Sequence, residues 1–560
     1  MDTTMQPSIV ALPTELLCLI IEELPFISHF DFACTCKRIH AASQYHLGRH
    51  QKAYRKFRTA SDLDPATVPL LLRSAFGKGD PMLAWHVRSF EIWRDRTTWG
   101  EWETLSLVTP LEADSDCGPS KLRVAPEDGS DYLEWYTKPL DGELDDNFEE
   151  GLEQMDDGHD GLLKALLFAK LPHLQDLKFV THSQQEGSCL WWMRFLIAPY
   201  CVDSNEGKQW PIGFSNLHKV AVGVISGTWL DNHEYSTSTL LLAYLLRLPG
   251  IDTIYFNGLR DPETEENVDD NDWNWWAELE IPKHSSSIKH LFLDGACSRL
   301  SNDFREALYN APRELLTIAF RFSGPERYLK NAHYIIEALE EFQSNSLQSL
   351  MWYGYNSDTI QGIDCNVSYI SDLSTFWKMK QVSFNVLDME LSAFHSGRTG
   401  LLHEDQDDTH FFIRHAAEAF PRSMEALVLW GTTGAGNGCE VDESVLFERT
   451  VIRLIKDGYY KNLKAIFLED MERTRRGPRK DVVLFQEAAA AGAAAGIDVH
   501  TLTNRCPMRH ALKFPEPVDE YDLKTGKHPD GRPSDWVFNT YSGRREPPGC
   551  NKCGDYFDPD

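Results

Sequence analysis

Four groups of residues in this chain have the types and spacing to do chemistry. Gly431-Thr432-Thr433-Gly434-Ala435-Gly436-Asn437-Gly438 is rich enough in glycine to wrap a phosphate. A phosphate loop needs Lys-Ser/Thr after it, and a dinucleotide site needs a fixed strand–turn–helix spacing. Cys439-Glu440-Val441-Asp442 follows instead and brings negative charge, so the segment reads as a flexible loop after a strand. His46 and His50 sit one helical turn apart, as paired zinc ligands do. Leu47 stands where a zinc peptidase has its glutamate, so no general base is present and both read as packing or surface histidines. Cys506, His510, Cys550 and Cys553 could supply four ligands to a tetrahedral zinc and pin the tail. The gap between the two halves is long, and free thiols are the competing reading, so no metal and no cofactor are assigned. Arg473, Arg475, Arg476, Arg479 and Lys480 form the densest basic cluster. Guanidinium forks match phosphate and carboxylate geometry, so a phosphorylated or acidic substrate segment could dock there; a solvated loop is the bland alternative. No Gly-x-Ser-x-Gly occurs and no cysteine has a papain-like or caspase-like setting, so no catalytic residue is assigned.

Composition narrows the classes further. Apolar residues make up 42% of the 560 and charged residues 25%, which is enough for a large core. The net charge of −30 repels phosphate backbones and anionic leaflets, which argues against nucleic acid and membrane partners. Twelve scattered cysteines form no secreted-type framework, so a reducing compartment, cytoplasm or nucleus, is expected. No apolar stretch is long enough to span a bilayer. Tryptophans cluster at Trp191-Trp192 and at Trp273, Trp275 and Trp276; core is the weightier reading than a binding surface.

The elements that must position these groups follow a repeated pattern. Apolar residues recur at i, i+3 and i+5: Val87/Phe90/Ile92, Leu174/Leu177/Phe179, Leu217/Val220/Val222, Ile251/Ile254/Phe256 and Ile288/Leu291/Leu293. The series continues with Leu315/Ile318/Phe320, Leu347/Leu350/Trp352, Met379/Val382/Phe384, Met424/Leu427/Leu429 and Leu463/Ile466/Leu468, and Ile497 with Val499 ends it. The last two places have strand alternation, and the first tucks the incoming loop inward. Helical segments are expected between them, most clearly at 237–248, 332–342, 411–420 and 443–456. Alternating helices and strands allow a parallel sheet along one side of a solenoid. From Leu174 onward, intervals between first members run from 27 residues (Ile288 to Leu315) to 45 (Met379 to Met424), less regular and mostly longer than the roughly 20–29 of leucine-rich repeats. The expected fold class is therefore α/β, an irregular leucine-rich-repeat-like solenoid of helix–strand units with a curved parallel sheet. Acid-rich inserts are expected as exposed loops near 110–160 and 260–272, and an irregular tail over 506–560.

The N-terminus differs. Pro13 suits a helix start, and Leu16, Leu17, Ile20, Ile21 and Leu24 form one wide apolar stripe, with Glu15, Glu22 and Glu23 off it. A second helix is expected from Ser28, with Ser28-x-x-Asp31 as a capping box and Phe32, Ala33, Cys36 and Ile39 continuing at helical spacing. Leu12-Pro-x-Glu-Leu-Leu-x-x-Ile-x-x-x-Leu24, with Cys36-Lys37-Arg38 after it, resembles the F-box, in its fungal variants particularly. Ser28-His29 stands where the family often has Asp-Leu. The resemblance covers residues 9–50, with the solenoid over 51–505. It implies binding to a Skp-type adaptor and, through it, a cullin-RING ubiquitin ligase. On that basis Leu12, Pro13, Leu16, Leu17, Ile20, Leu24, Phe32, Cys36 and Lys37 are the expected adaptor-binding residues. The resemblance implies a non-enzymatic substrate-recognition subunit whose solenoid captures an unknown protein substrate by its concave face and rim. The alternative is an F-box scaffold working outside the ligase.

Overall fold

Each of the ten complete triplets opens a β-strand two residues after its first member, so the i, i+3, i+5 spacing marks both the strand and its inward face. The computed structural model describes residues 9–93, 95–103, 126–138, 146–179, 187–201, 209–223, 237–257, 259–260, 281–294, 302–322, 328–354, 373–385, 420–430, 443–469, 485–502, 537–539 and 544–546. The chain divides into two compact units, residues 1–179 with 183–218, and residues 180–182 with 219–560.

The first unit begins with four helices, α1 (Thr14–Glu23), α2 (His29–Cys34), α3 (Lys37–Ala42) and α4 (Gln44–Phe57). Its strands are β1 (Thr59–Ser61), β2 (Ser89–Ile92) and β3 (Asp176–Phe179), parallel, with Thr59 opposite Ser89 and Ser89 opposite Asp176. Helices α5 (Thr67–Ala75), α6 (Pro81–Trp85), α7 (Pro126–Thr137), α8 (Asp146–Asp157), α9 (Gly161–Lys170), α10 (Cys189–Ile197) and α11 (Ile212–Ser215) complete its described residues.

Strand β1 is the member that the triplet reading misses. Phe57, Ala60 and Asp62 occupy its i, i+3 and i+5 places and are all buried. The third place carries a carboxylate, which removes the apolar signal. Asp62 is tolerated there because its Oδ1 accepts the Trp93 amide at 2.8 Å and its Oδ2 meets Lys164 Nζ at 2.8 Å.

Residues 110–160 depart from expectation. Instead of an exposed loop, their described part holds helices α7 and α8. Their described acids, such as Glu134, Glu149, Glu150, Glu153, Asp156 and Asp157, are exposed, while Tyr132, Leu133, Tyr136, Phe148 and Met155 are buried. Gly151 allows α8 to seat against α10, since a Cβ there would lie 2.6 Å from the Trp192 ring. Trp192 itself is buried, in keeping with the core reading of that tryptophan pair.

The second unit contains, among its described residues, nine ladder strands, β4 (Lys219–Val222), β5 (Thr253–Asn257), β6 (His290–Asp294), β7 (Thr317–Phe322), β8 (Ser349–Gly354), β9 (Gln381–Asn385), β10 (Ala426–Trp430), β11 (Ala465–Glu469) and β12 (Asp498–Leu502). They pair in chain order and in parallel. Parallel neighbours require crossovers. Among the described residues, helices α12 (Thr239–Leu245), α13 (Asn302–Asn310), α14 (Tyr328–Gln343), α15 (Glu443–Lys456) and α16 (Gln486–Ala495) lie in five of the eight crossovers, those into β5, β7, β8, β11 and β12. The helix expected at 443–456 has those bounds, and the one expected at 332–342 starts earlier, at Tyr328. Residues 411–419 of a further expected helix lie outside the described residues, as does all but Arg260 of the loop expected at 260–272.

One backbone contact repeats along the ladder. The carbonyl of the residue before a strand accepts two N–H groups from the next unit. Asp252 O takes Lys289 and His290, Lys289 O takes Leu316 and Thr317, Leu316 O takes Gln348 and Ser349, and Gln348 O takes Lys380 and Gln381, all within 2.7–3.1 Å. Lys380 O and Glu425 O continue the series, and Arg58 O and Arg88 O do the same in the first unit. Each contact satisfies amides that the buried strand would otherwise leave orphaned.

The open concave face expected for recognition is absent from the described strands of the second unit. Ala221, Tyr255, Phe292, Ala319, Met351, Ser383, Val428 and Phe467 occupy the outward-alternating row, and none is more than 6% exposed. The strands read as near-continuous apolar runs, such as Leu427-Val428-Leu429 and Ile466-Phe467-Leu468, which is what a parallel sheet covered on both faces needs.

Candidate protein-interaction site

Helix α1 is apolar on two sides, and only one of them is used inside the chain. Leu17 and Ile21, one turn apart, are fully buried and form the centre of the N-terminal module. Leu16 and Leu19 point away and are 45% and 55% exposed. Ile9, Ile27, Phe30 and Tyr45 are also exposed large apolar side chains of this module, and Pro13 and Pro25 are exposed beside them. These exposed apolar groups, many for so short a segment, make the module a candidate contact surface.

The scaffold beneath this surface is short helices tied by their ends. Thr14 opens α1 directly after Pro13, and Leu24 closes it in extended conformation. The Arg38 guanidinium donates to Leu12 O at 2.7 Å, holding α3 to the start of α1. The expected capping box at Ser28 does not form, since Ser28 makes no side-chain cap. The expected second helix is two. Helix α2 ends at Cys34, and Cys36, in extended conformation, caps α3 by accepting the Ile39 amide at its sulfur. Helix α4 then runs through residue 50 to Phe57, burying His46, His50, Ala53 and Phe57 at helical spacing.

Of the residues expected to bind an adaptor, Pro13, Leu16 and Lys37 are exposed, and Leu12, Ile20, Leu24, Phe32 and Cys36 are half-buried. Leu17 is buried within the module, so it supports the surface without forming it. Leu19, Ile27, Phe30 and Tyr45 extend the exposed set beyond the residues read from the stripe. The Leu16/Leu19 pair at i, i+3 was the available signal for Leu19.

Behind the module lies a chain of imidazoles. His29 Nδ1 and His50 Nε2 are 3.2 Å apart, and His50 Nδ1 and His86 Nε2 are 2.9 Å apart. The His46 ring packs edge-on against His29 with centroids 4.9 Å apart. A neutral His50 bridges both neighbours by donating to one and accepting from the other, whereas a protonated His50 would donate to both. Burial first, then His86 and His29, pushes the His50 pKa down to about 4. Burial also lowers His46 and His86. The histidines of α4 thus act as packing groups. Among the described residues no cluster of three or more His, Cys, Asp or Glu is placed to hold a metal ion.

A second polar cluster joins the loops after β1 and β2 to α9. Lys164 Nζ lies 2.8 Å from Asp62, 3.0 Å from Asp160 and 3.7 Å from Asp95, and Arg96 pairs with Asp160 at 3.0 Å. Burial opposes the Lys164 charge, but Asp160, Asp62 and Asp95 together outweigh it and raise its pKa. A lysine held protonated is neither nucleophile nor base, so this cluster is a tie between elements. Burial, opposed by Lys164, raises Asp95 to about 6.

Arg473, Arg475, Arg476, Arg479 and Lys480 lie outside the described residues, as do Cys506, His510, Cys550, Cys553 and the glycine-rich 431–438 segment. No helix among the described residues is long and apolar enough to cross a membrane.

The family model of the F-box domain matches residues 9–47, the segment that carries this exposed surface. A search of the curated proteins finds no match to the chain.

Proposed function

We propose that this F-box-bearing chain is the substrate-recognition subunit of a Skp–cullin–F-box ubiquitin ligase. The F-box at residues 9–47 suggests that role, and the observation that carries the reading is its unpartnered apolar surface, Leu16, Leu19, Ile27 and Phe30. Each of these side chains is about half exposed, so covering the remainder stabilises a complex by about 1 kcal/mol apiece. On this reading Leu12, Pro13, Leu16, Ile20, Leu24, Phe32, Cys36 and Lys37 contact a Skp-type adaptor, with Leu17 shaping the helix from inside. The repeated helix–strand units form a leucine-rich-repeat-like solenoid that holds a protein substrate in the cytoplasm or nucleus. The chain supplies no nucleophile or general base, and ubiquitin transfer takes place on its partners.

Reconstitution tests the reading. The full chain, purified Skp-type adaptor and purified cullin are mixed and run by size exclusion. A single peak containing all three supports the ligase subunit. A peak of chain and adaptor that excludes cullin supports the scaffold alternative, and a chain that elutes alone contradicts both.

A further inference from the structure

With both faces of its described strands filled, the second unit offers partners its strand ends and helices, and one strand-end surface has a distinct chemistry. The segments entering β9, β10 and β11 lie side by side. Lys380 O accepts the Glu425 and Ala426 amides, Glu425 O accepts those of Lys464 and Ala465, and the Ser423 hydroxyl donates to Met379 O at 2.7 Å. These segments expose two aromatic rings, Trp377 at 72% and Tyr459 at 38%. Around them Lys378, Lys380, Arg422, Lys461 and Lys464 are exposed.

The acid within this group is already engaged. Glu425 meets Lys464 at 2.5 Å and Lys380 at 3.3 Å, and hydrogen bonds from Lys464 and then Lys380 hold its carboxyl below the usual range. The neighbouring Asp457 is held by Arg453 at 2.6 Å. Five cations against Glu425 and the exposed Asp498, whose amide meets Lys464 O at 2.9 Å, leave this patch at +3, on a chain whose net charge is −30. Arg422 both hydrogen-bonds the Tyr459 hydroxyl at 3.0 Å and lies over its ring at 5.1 Å. That contact fixes a ring which would otherwise lose rotamer freedom on binding. Exposed tryptophan, tyrosine and arginine are residue types enriched at interface centres.

We propose that this surface docks a short acidic protein segment, its carboxylate or phosphate groups against Lys378, Lys461 and Arg422 and an apolar side chain on Trp377. A short segment feels the local charge within a Debye length of about 8 Å, whereas an extended polyanion also feels the repulsion of the acidic remainder. That difference favours an acidic peptide over a nucleic acid. The inference rests on the proposed function only in taking the docked segment to belong to the substrate.

Fluorescence anisotropy with the full chain tests it. The probe is a short fluorescein-labelled peptide alternating glutamate with phenylalanine. A second arm carries phosphoserine for glutamate, a third carries lysine for glutamate, and a single-stranded RNA oligonucleotide serves as competitor. The acidic probes should bind and the lysine probe should not. Trp377→Ala, and separately Lys378→Glu with Lys461→Glu, should each weaken binding at least about tenfold. Salt raised from about 50 mM to about 500 mM should weaken it further. The charge-reversal pair lies on exposed side chains and keeps the test valid if Trp377→Ala lowers stability. The glutamate and phosphoserine arms together distinguish a general acidic segment from one that needs phosphorylation. Absence of acidic-peptide binding by the intact chain, equal binding by both variants, or tighter binding of the RNA would overturn the inference. Adaptor binding measured on the same samples separates the readings, because a chain that holds the adaptor but ignores the peptide loses only this docking surface.

Discussion

His50 illustrates how a single residue can set the acid limit of the fold. Its folded pKa is pushed to about 4, while the unfolded chain takes a proton near pH 6.5. Protons therefore bind the unfolded state first, and stability that is present above pH 6.5 is lost as pH falls toward 4. The shift is worth about 3 kcal/mol for this group. His46 and His86 act in the same direction. Asp95 opposes them: its raised pKa adds stability that is complete below its unfolded value near 3.9 and fades as pH rises through about 6. Burial lowers His173 and His290 as well, and five histidines against one aspartate predict a lower urea midpoint at pH 5 than at pH 7. His50→Gln should flatten that dependence, and an unchanged slope would contradict the account. Lys164 makes the complementary prediction. Lys164→Met would leave Asp62, Asp95 and Asp160 with only Arg96 nearby, at a cost of about 3–5 kcal/mol in thermal or urea unfolding. Neither cluster was legible in the sequence, because their members come from distant elements. His46 and His50 showed their shared helix face, but nothing in the spacing linked them to His29 or His86.

At the scale of elements, helix α1 divides its leucines between two roles that substitution can separate. Leu17→Ala should cost about 2–5 kcal/mol, since it empties a fully buried site. Leu16→Asp with Leu19→Asp should leave stability within about 0.5 kcal/mol per site, since both side chains are exposed. Chemical denaturation of the two variants checks the contrast, and equal losses would contradict the assignment of faces. Strands were the most readable elements. The triplets gave their positions because burial of the same three places recurs wherever a parallel strand meets the core. β1 escaped because Asp62 stands at its third place. Helices α7 and α8 escaped because counting acids obscured the apolar residues at helical spacing among them, Tyr132, Leu133 and Tyr136 in α7 and Phe148 and Met155 in α8. The single helix expected from Ser28 onward failed on one residue: Cys36 caps α3 in place of continuing α2.

For the whole molecule, the parallel ladder could be foreseen, and burial of its second face could not. Alternation separates the two faces of a strand only when one is wet, and here residues such as Tyr255, Met351 and Phe467 fill the second row. With that second row buried, the docking proposed for the second unit falls at strand ends, while the N-terminal module keeps exposed apolar side chains. The motif was legible because it is contiguous, lying within residues 9–47. The central claim is that this surface binds a Skp-type adaptor, and calorimetric titration of purified adaptor into the full chain tests it most directly. The intact chain should bind, Leu16→Asp with Leu19→Asp should weaken binding by at least about a hundredfold, and Trp377→Ala should leave it unchanged. Binding that survives the double substitution in a folded chain, or that the intact chain never shows, would contradict the account.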